Sequence, residues 1–167
     1  MALDASAYGL FSQIQPIEFK RILSNLINNS VESLEDRGEV VISIAPISSE
    51  KVQIRVEDNG KGIPVEVLEK LGVRGQTHGK ANGSGLGLFH ARRTIETWGG
   101  TFELQSEVGV GTAAVITLPK VKPASWFVAE LVLAPNSVVI VLDDDESIHW
   151  IWQRRAEATE FEKSQIQ

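Results

Sequence analysis

Three polar clusters in this chain combine the residue types needed to bind a base, phosphates and a cation. Asn25 and Asn29 lie one helical turn apart, and their amide oxygens are neutral ligands for a hard cation such as magnesium. The stretch 58–63, Asp-Asn-Gly-Lys-Gly-Ile, begins with a carboxylate at a predicted strand end, where it can accept a hydrogen bond from an exocyclic amine. The stretch 83–88, Gly-Ser-Gly-Leu-Gly-Leu, precedes a helical pattern, and its backbone N–H groups can approach phosphate oxygens. Together the clusters predict a nucleotide site.

Hydrophobic periodicity predicts the elements that position these clusters. Pro16 suits the first turn of a helix that Gly38 would stop, and alternating runs rich in Val and Ile predict strands. The predicted order is a strand at 8–15, a helix at 16–36, strands at 39–47 and 51–58, one or two helical turns at 64–71, a polar mobile loop at 72–83, a helix at 85–98, and strands at 101–105 and 112–118. This order predicts an α+β fold, a two-layer α/β sandwich with helices on one face of a mixed sheet.

Composition and charge exclude several classes of function. The 167 residues suffice for one ordinary domain and an appendage, and the net charge of −6 without a stripe of Lys and Arg argues against nucleic-acid binding. Cysteine is absent, which excludes thiolate metal sites and cysteine nucleophiles. No signal segment opens the chain and its longest apolar runs are too short to span a bilayer. We therefore expect a cytoplasmic domain that is not inserted in a membrane.

Two common glycine-rich phosphate motifs do not fit. A P-loop requires GxxxxGK followed by Ser or Thr, whereas Lys80 is followed by Ala81 and Arg74 occupies the place of the first glycine. A Rossmann fingerprint requires GxGxxG directly after a strand, whereas the glycines of 83–88 are spaced two apart and follow a long polar loop.

Four motifs, in order and on the expected elements, resemble the boxes of the histidine-kinase catalytic and ATP-binding domain, within the GHKL superfamily shared with gyrase and MutL. They are the N box at 25–29 (Asn-Leu-Ile-Asn-Asn), the G1 box at 58–63, the G2 box at 83–88 and the GxGT element at 109–112. The resemblance covers residues 7–120 and implies the Bergerat-type ATP-binding fold. Each box alone is weak, but four in sequence are specific.

The resemblance implies a role for each matching position. Asn29 would coordinate Mg²⁺ that bridges the phosphates of ATP, and Asn25 would assist. Asp58 would accept a hydrogen bond from the adenine amino group, with Thr112 close by through a water molecule. The residues implied beneath the base are Gly60, Gly62 and Ile63.

The implied phosphate contacts come from the lid, residues 64–83, and from the start of the following helix. Backbone amides of the G2 box would reach the phosphates, and Lys80 would close on the γ-phosphate as the lid moves. The implied contact residues of this box are Gly83, Gly85, Leu86, Gly87 and Leu88. Two departures from the family pattern concern this region: the aromatic-led F box is replaced by the stretch 71–73, and Glu32 stands where many kinases carry a basic residue.

The superfamily contains hydrolases as well as kinases, and position 25 distinguishes them. The hydrolases carry a glutamate there that activates water, whereas Asn25 has an amide that takes no proton at neutral pH. The resemblance therefore favours a two-component sensor histidine kinase that donates the ATP γ-phosphate to a histidine. That histidine would lie on an upstream dimerising helical domain absent from this chain, so we expect a fragment of a larger kinase, whose parent can be membrane-anchored. A GHKL-type ATPase and a nucleotide-sensing module without phosphotransfer remain the alternatives.

The tail beyond the proline-containing stretch at 119–123 carries a different signal. We expect the kinase domain at 1–120, a linker at 121–137 and a second unit at 138–167. The apolar run 138–142 followed by three aspartates resembles the first strand and acidic Mg²⁺ cluster of a response-regulator receiver domain, truncated here. A hybrid kinase would then be the parent, with a receiver or response regulator as partner. We expect the tail to be disordered or to cover its apolar side chains against the kinase domain or a second copy of the chain.

Overall fold

The computed structural model describes residues 9–34, 37–68, 70–71, 86–125, 134, 137–138, 140, 144, 148–150 and 152–153. The chain divides into two units, Met1–Phe127 and Val128–Gln167. The elements of the first unit are α1 (Pro16–Ser33), β1 (Val40–Pro46), β2 (Lys51–Asp58), α2 (Val65–Leu68), α3 (Leu86–Thr97), β3 (Thr101–Glu107) and β4 (Gly111–Pro119). Helices and hairpin strands thus lie where the periodicity predicts them.

Helix α1 carries the predicted N box and ends earlier than predicted. Pro16 occupies its first turn, as expected from its fixed φ angle and missing N–H. The last helical residue is Ser33 rather than Asp36, because Leu34 adopts extended backbone angles, φ −70° and ψ 146°. The N–H of Leu34 still donates to the Val31 carbonyl at 3.2 Å, a tightened last turn that closes the helix.

The sheet contains four strands in the order β1-β2-β4-β3, and every pairing among the described residues is antiparallel. The prediction of a mixed sheet is therefore wrong in this respect, whereas the α+β sandwich is confirmed. The order of the strands explains the difference. β2 and β3 run in the same direction and would form a parallel pair as neighbours, but β4 lies between them. The strand predicted at 8–15 is also absent from residues 9–15, where Leu10 and Ile14 pack against the core without pairing in the sheet.

The core lies between one face of the sheet and helices α1 and α3. Inward-facing residues alternate along β2, which places Val52, Ile54 and Val56 against the helices. Burial of such side chains from water is the main favourable contribution to folding. The same alternation points the next residue in this series, Asp58, towards the helices, so a carboxylate stands directly at the end of the core.

No helix in the described part of the chain combines the length and the apolar character needed to cross a membrane.

Candidate nucleotide-binding site

The helix-facing side of the sheet turns polar at one end, where three strands contribute one residue each. Asp58 is paired with Thr112 across β2 and β4, and Thr112 is paired with Ser106 across β4 and β3. Directly opposed residues present their side chains on the same face of a sheet. The three side chains therefore form one continuous polar row beyond the core, and this row contains two of the predicted base-binding residues.

The hydroxyl of Ser106 connects this row to the loop after β2. The Ile63 N–H donates to Ser106 Oγ at 2.9 Å, and Ser106 Oγ donates to the Gly111 carbonyl at 2.9 Å. Thr112 Oγ1 lies 2.8 Å from the same oxygen. Since Ser106 carries one hydroxyl proton and gives it to Gly111, the arrangement that satisfies all three contacts has Thr112 donating to Ser106. The Thr112 hydroxyl can then only accept a further hydrogen bond.

The Asp58 carboxylate is held by two donors on one of its oxygens. Ser33 Oγ lies 2.7 Å from Asp58 Oδ1, and the Gly60 N–H donates to the same oxygen at 3.1 Å. Oδ2 receives no hydrogen bond from the residues described. The carboxylate thus has one oxygen engaged by the protein and one left for a ligand.

The glycines of the 58–63 loop allow backbone segments to pack very closely. Gly62 has a φ of +70°, and a Cβ there would lie 2.0 Å from the Glu107 carbonyl oxygen. A Cβ on Gly60 would lie 2.2 Å from Ser33 Oγ. The structure therefore explains both glycines by contacts within the protein, between the loop and the ends of β3 and α1. Their predicted role beneath a base stays a prediction.

The predicted phosphate end lies between α1 and the first turn of α3. Asn25 and Asn29 follow each other at a step of four on α1, and both are half-buried. A Cβ on Gly87 would lie 2.1 Å from Asn25 Nδ2, so this glycine brings the backbone of α3 onto the Asn25 side chain. N–H groups in the first turn of a helix lack intrahelical partners and favour anions. Gly87 and Leu88 supply such groups here.

Other predicted site residues lie outside the described part of the chain. They are Lys80, Gly83, Gly85 and the side chain of Leu86, together with the predicted loop at 72–83. The roles predicted for them stay predictions.

Sequence reasoning missed two residues of the site, Ser33 and Ser106. Ser33 continues the four-residue step of Asn25 and Asn29, a signal that periodicity alone could have given. Ser106 stands at an inward position of β3 where an apolar residue is expected, and a polar residue there was the available signal. Each serine makes its contact in the site with a residue far away in the sequence, Ser33 with Asp58 and Ser106 with Ile63.

The opposite face of the sheet carries an ion pair that is separate from the site. Arg55 Nη2 donates to Glu57 Oε1 at 2.6 Å. This hydrogen bond lowers the pKa of the Glu57 carboxyl below its ordinary value and raises the pKa of Arg55. Because successive strand residues point to opposite faces, Glu57 faces away from its neighbour Asp58.

A comparison with known families identifies the family of this chain. The family model described as "Histidine kinase-, DNA gyrase B-, and HSP90-like ATPase" matches residues 14–122. The chain belongs to this family. The match includes α1, the whole sheet and both predicted base-binding residues of the polar row.

Individual relatives of this domain are sensor and sporulation kinases. A probable C4-dicarboxylate sensor kinase from Halalkalibacterium halodurans is 39% identical over 102 residues, which are 59% of this chain and 19% of that protein. Sporulation kinase A of Bacillus subtilis is 39% identical over 103 residues, or 62% of this chain and 17% of the relative. The chain thus spans less than a fifth of the length of the curated relatives it matches.

Among solved structures, the nucleotide-free catalytic domain of the histidine kinase ThkA is similar to this domain. It is 29% identical with a TM-score of 0.57, over 66% of this chain and 71% of the other. The three comparisons agree, and the matched region is homologous to the catalytic domains of sensor histidine kinases.

Proposed function

We propose that this domain binds Mg-ATP through the polar row and the N box, and transfers the γ-phosphate to a histidine of a dimerisation domain. The observation that carries the proposal is the row of Asp58, Thr112 and Ser106 at the edge of the core, joined through Ser33 to the helix that carries the paired asparagines.

The hydrogen-bonding character of this row favours adenine. The free oxygen of Asp58 accepts hydrogen bonds, and the proton arrangement around Ser106 leaves Thr112 as an acceptor too. An exocyclic amine, or a water molecule bonded to it, supplies the donors that two acceptors require. The carbonyl at the equivalent position of guanine is itself an acceptor and would leave these groups unpaired, which costs free energy in a partly buried site.

The donor set on α1 fits a magnesium ion. Asn29 would hold the ion through its amide oxygen, with Asn25 one turn away, since Mg²⁺ prefers oxygen ligands and keeps several waters and phosphate oxygens in its shell. When bound, the ion would neutralise part of the negative charge on the phosphates. The chain's own contribution is to orient the triphosphate between α1 and the first turn of α3.

The chemistry at position 25 supports transfer rather than hydrolysis. In the transfer, a bond forms between the imidazole nitrogen and the γ-phosphorus while the bond from that phosphorus to the bridging oxygen breaks, releasing ADP. Hydrolysis would require a base that takes a proton from water, and the Asn25 amide cannot serve.

A reconstituted transfer reaction tests this function. The full chain is incubated with Mg-ATP and a separately produced dimerisation domain of a related sensor kinase. We expect acid-labile phosphate on the added domain and none on this chain. The Asp58→Ala variant is the control, and it should transfer less phosphate. Rapid phosphate release without transfer, or phosphate on His78, His90 or His149, would contradict the proposal.

We also propose that residues 138–167 begin a receiver domain, which would make a hybrid kinase the parent and a receiver or response regulator the partner. Three aspartates after an apolar run support this reading, as does helical structure at 148–150 and 152–153. Of the proposed strand 138–142, residues 138 and 140 are described and neither is in a strand. A chain truncated at residue 121 should retain its Mg-ATP affinity. A large loss would show that the tail belongs to the catalytic fold and would contradict the receiver proposal.

A further inference from the structure

Ser33, the last residue of α1, joins the helix of the paired asparagines to the loop that begins at Asp58. Its Oγ lies 2.7 Å from Asp58 Oδ1, and its carbonyl accepts the Lys61 N–H at 3.1 Å. The contact with Gly60 is so close that a Cβ on the glycine would overlap the serine hydroxyl. The Asp58 carboxylate, Gly60 and the Lys61 N–H group therefore all contact this one serine.

The Ser33 hydroxyl has one proton and two acceptors at the same distance. Ser30 O and Asp58 Oδ1 both lie 2.7 Å from Ser33 Oγ. A carboxylate is the stronger acceptor, because hydrogen bonds to an ionised group are roughly twice as strong as those between neutral groups. The proton therefore goes to Asp58, and the serine acts as a donor to the carboxylate.

This donation fixes which oxygen of Asp58 a ligand meets. A carboxylate at the end of a side chain rotates readily about its last torsion, which has a broad two-fold profile. Two donors, Ser33 Oγ and the Gly60 N–H, converge on Oδ1 and oppose this rotation. Because these donors arrive from α1 and from the loop itself, the carboxylate is oriented before any ligand binds.

We propose that Ser33 is a positioning residue that sets the preference of this site for a 6-aminopurine, by engaging Asp58 Oδ1 and presenting Oδ2 to the amino group. The inference rests on the proposed function, since it requires Asp58 to read the base. It predicts that Ser33 affects recognition of the amino group and leaves other contacts of the nucleotide unchanged.

The test compares two ligands on the full chain by calorimetric titration: Mg-ATP and the Mg-triphosphate of purine riboside, which lacks the 6-amino group. We expect Ser33→Ala to weaken Mg-ATP binding about three- to tenfold, the worth of one hydrogen bond, and to leave the purine nucleotide unchanged. Ser33→Cys fills a similar volume with a weaker donor and should shift Mg-ATP binding in the same direction.

Thr97→Ala is the matched control. Thr97 ends α3 as Ser33 ends α1, and its Oγ1 lies 2.7 Å from the carbonyl oxygen three residues earlier, as Ser33 Oγ does from Ser30 O. This variant removes a helix-end hydroxyl of the same kind without touching Asp58, and it should bind both ligands as the unaltered chain does. Thermal unfolding of all variants shows whether the substitutions change the fold.

The possible results separate this inference from the proposed function. If the unaltered chain binds both ligands equally, Asp58 does not read the base, and both the proposed function at this residue and the inference fail. If the unaltered chain prefers Mg-ATP and Ser33→Ala keeps that preference, the inference alone is overturned. An equal loss for both ligands, or wild-type preference in Ser33→Cys, would show that Ser33 acts only through packing.

Discussion

The two ends of the candidate site are built in different ways. At the base end, Asp58 and Thr112 are fixed by hydrogen bonds of 2.7–3.1 Å that join α1, the loop after β2 and the β3–β4 hairpin. At the phosphate end, two helices pack through one glycine, with Asn25 lying against Gly87. The first end is held by directional bonds between three elements, and the second by close packing of two.

The difference indicates where specificity and adaptability reside. Under the proposed function, oriented acceptors at the base end would distinguish one base from another, since an unsatisfied polar group is costly there. The phosphate end presents amides and helix N–H groups that suit any triphosphate with its cation. Substitutions at the base end should therefore change the choice of nucleotide, whereas those at the phosphate end should change affinity for all nucleotides alike.

The largest expected effect comes from a substitution that disrupts the packing supporting the base end. Gly62→Ala places a Cβ 2.0 Å from the Glu107 carbonyl at a φ of +70°, so we expect a loss of about 3 kcal/mol in the free energy of unfolding from overlap and backbone strain. Gly109→Ala is the matched control, because its φ is +78° but no atom lies within 4 Å of the added Cβ. It should cost about 1 kcal/mol. Urea denaturation measures both, and equal losses would show that the close contact is unimportant.

The next effect tests the base end directly. Asp58→Ala removes a charge-assisted hydrogen bond to adenine, so we expect Mg-ATP affinity to fall by about 1.5–3 kcal/mol. The same substitution should have little effect on a triphosphate whose base lacks an amino group. Isothermal titration with both ligands provides the measurement. A parallel loss for both would place Asp58 in the structure of the loop rather than at the base.

A smaller effect tests the phosphate end. Asn29→Ala should abolish the dependence of ATP binding on Mg²⁺ and weaken binding in its presence by about tenfold, near 1.4 kcal/mol. The loss should be the same for every base. Asn28→Ala, on the exposed side of the same helix, is the control. Titrations of both variants with ATP, with and without Mg²⁺, provide the measurement. If binding to Asn29→Ala still depended on Mg²⁺, Asn29 would not be a ligand of the cation.

The smallest effect concerns the face of the sheet that the site does not use. Glu57→Gln should lower stability at neutral pH by less than about 1 kcal/mol, as expected for a solvent-accessible ion pair. Because the folded-state pKa of Glu57 is lowered, its contribution is present above the ordinary value of 4.5 and is lost as the pH falls through the folded-state pKa. The stability difference should therefore vanish in acid while Mg-ATP affinity stays unchanged. A difference that grew in acid would contradict the sign of the shift.

Local patterns in the sequence predicted the elements well, and non-local pairing explains what they missed. The strands at 51–58 and 112–118 follow from alternation along the chain, and the observed bounds differ by one residue at most. The antiparallel order could not follow from alternation, because it depends on β4 lying between β2 and β3.

The candidate site shows the same division. Asp58 was predicted because a carboxylate at a strand end before glycines is a local feature. Ser33 was missed because its contact with Asp58 joins residues 25 positions apart, and Ser106 because its contact with Ile63 joins residues 43 apart. Such contacts follow from register and packing, which only the assembled fold specifies.

Competition between Mg-ATP and Mg-GTP for the full chain tests the central claim most directly. The claim is that acceptors oriented at the base end, Asp58 above all, select the amino group of adenine. We predict that GTP displaces bound ATP only at concentrations at least tenfold higher, a difference of about 1.4 kcal/mol or more. Equal displacement by the two nucleotides would contradict the assignment of Asp58 and, with it, the account of the base end.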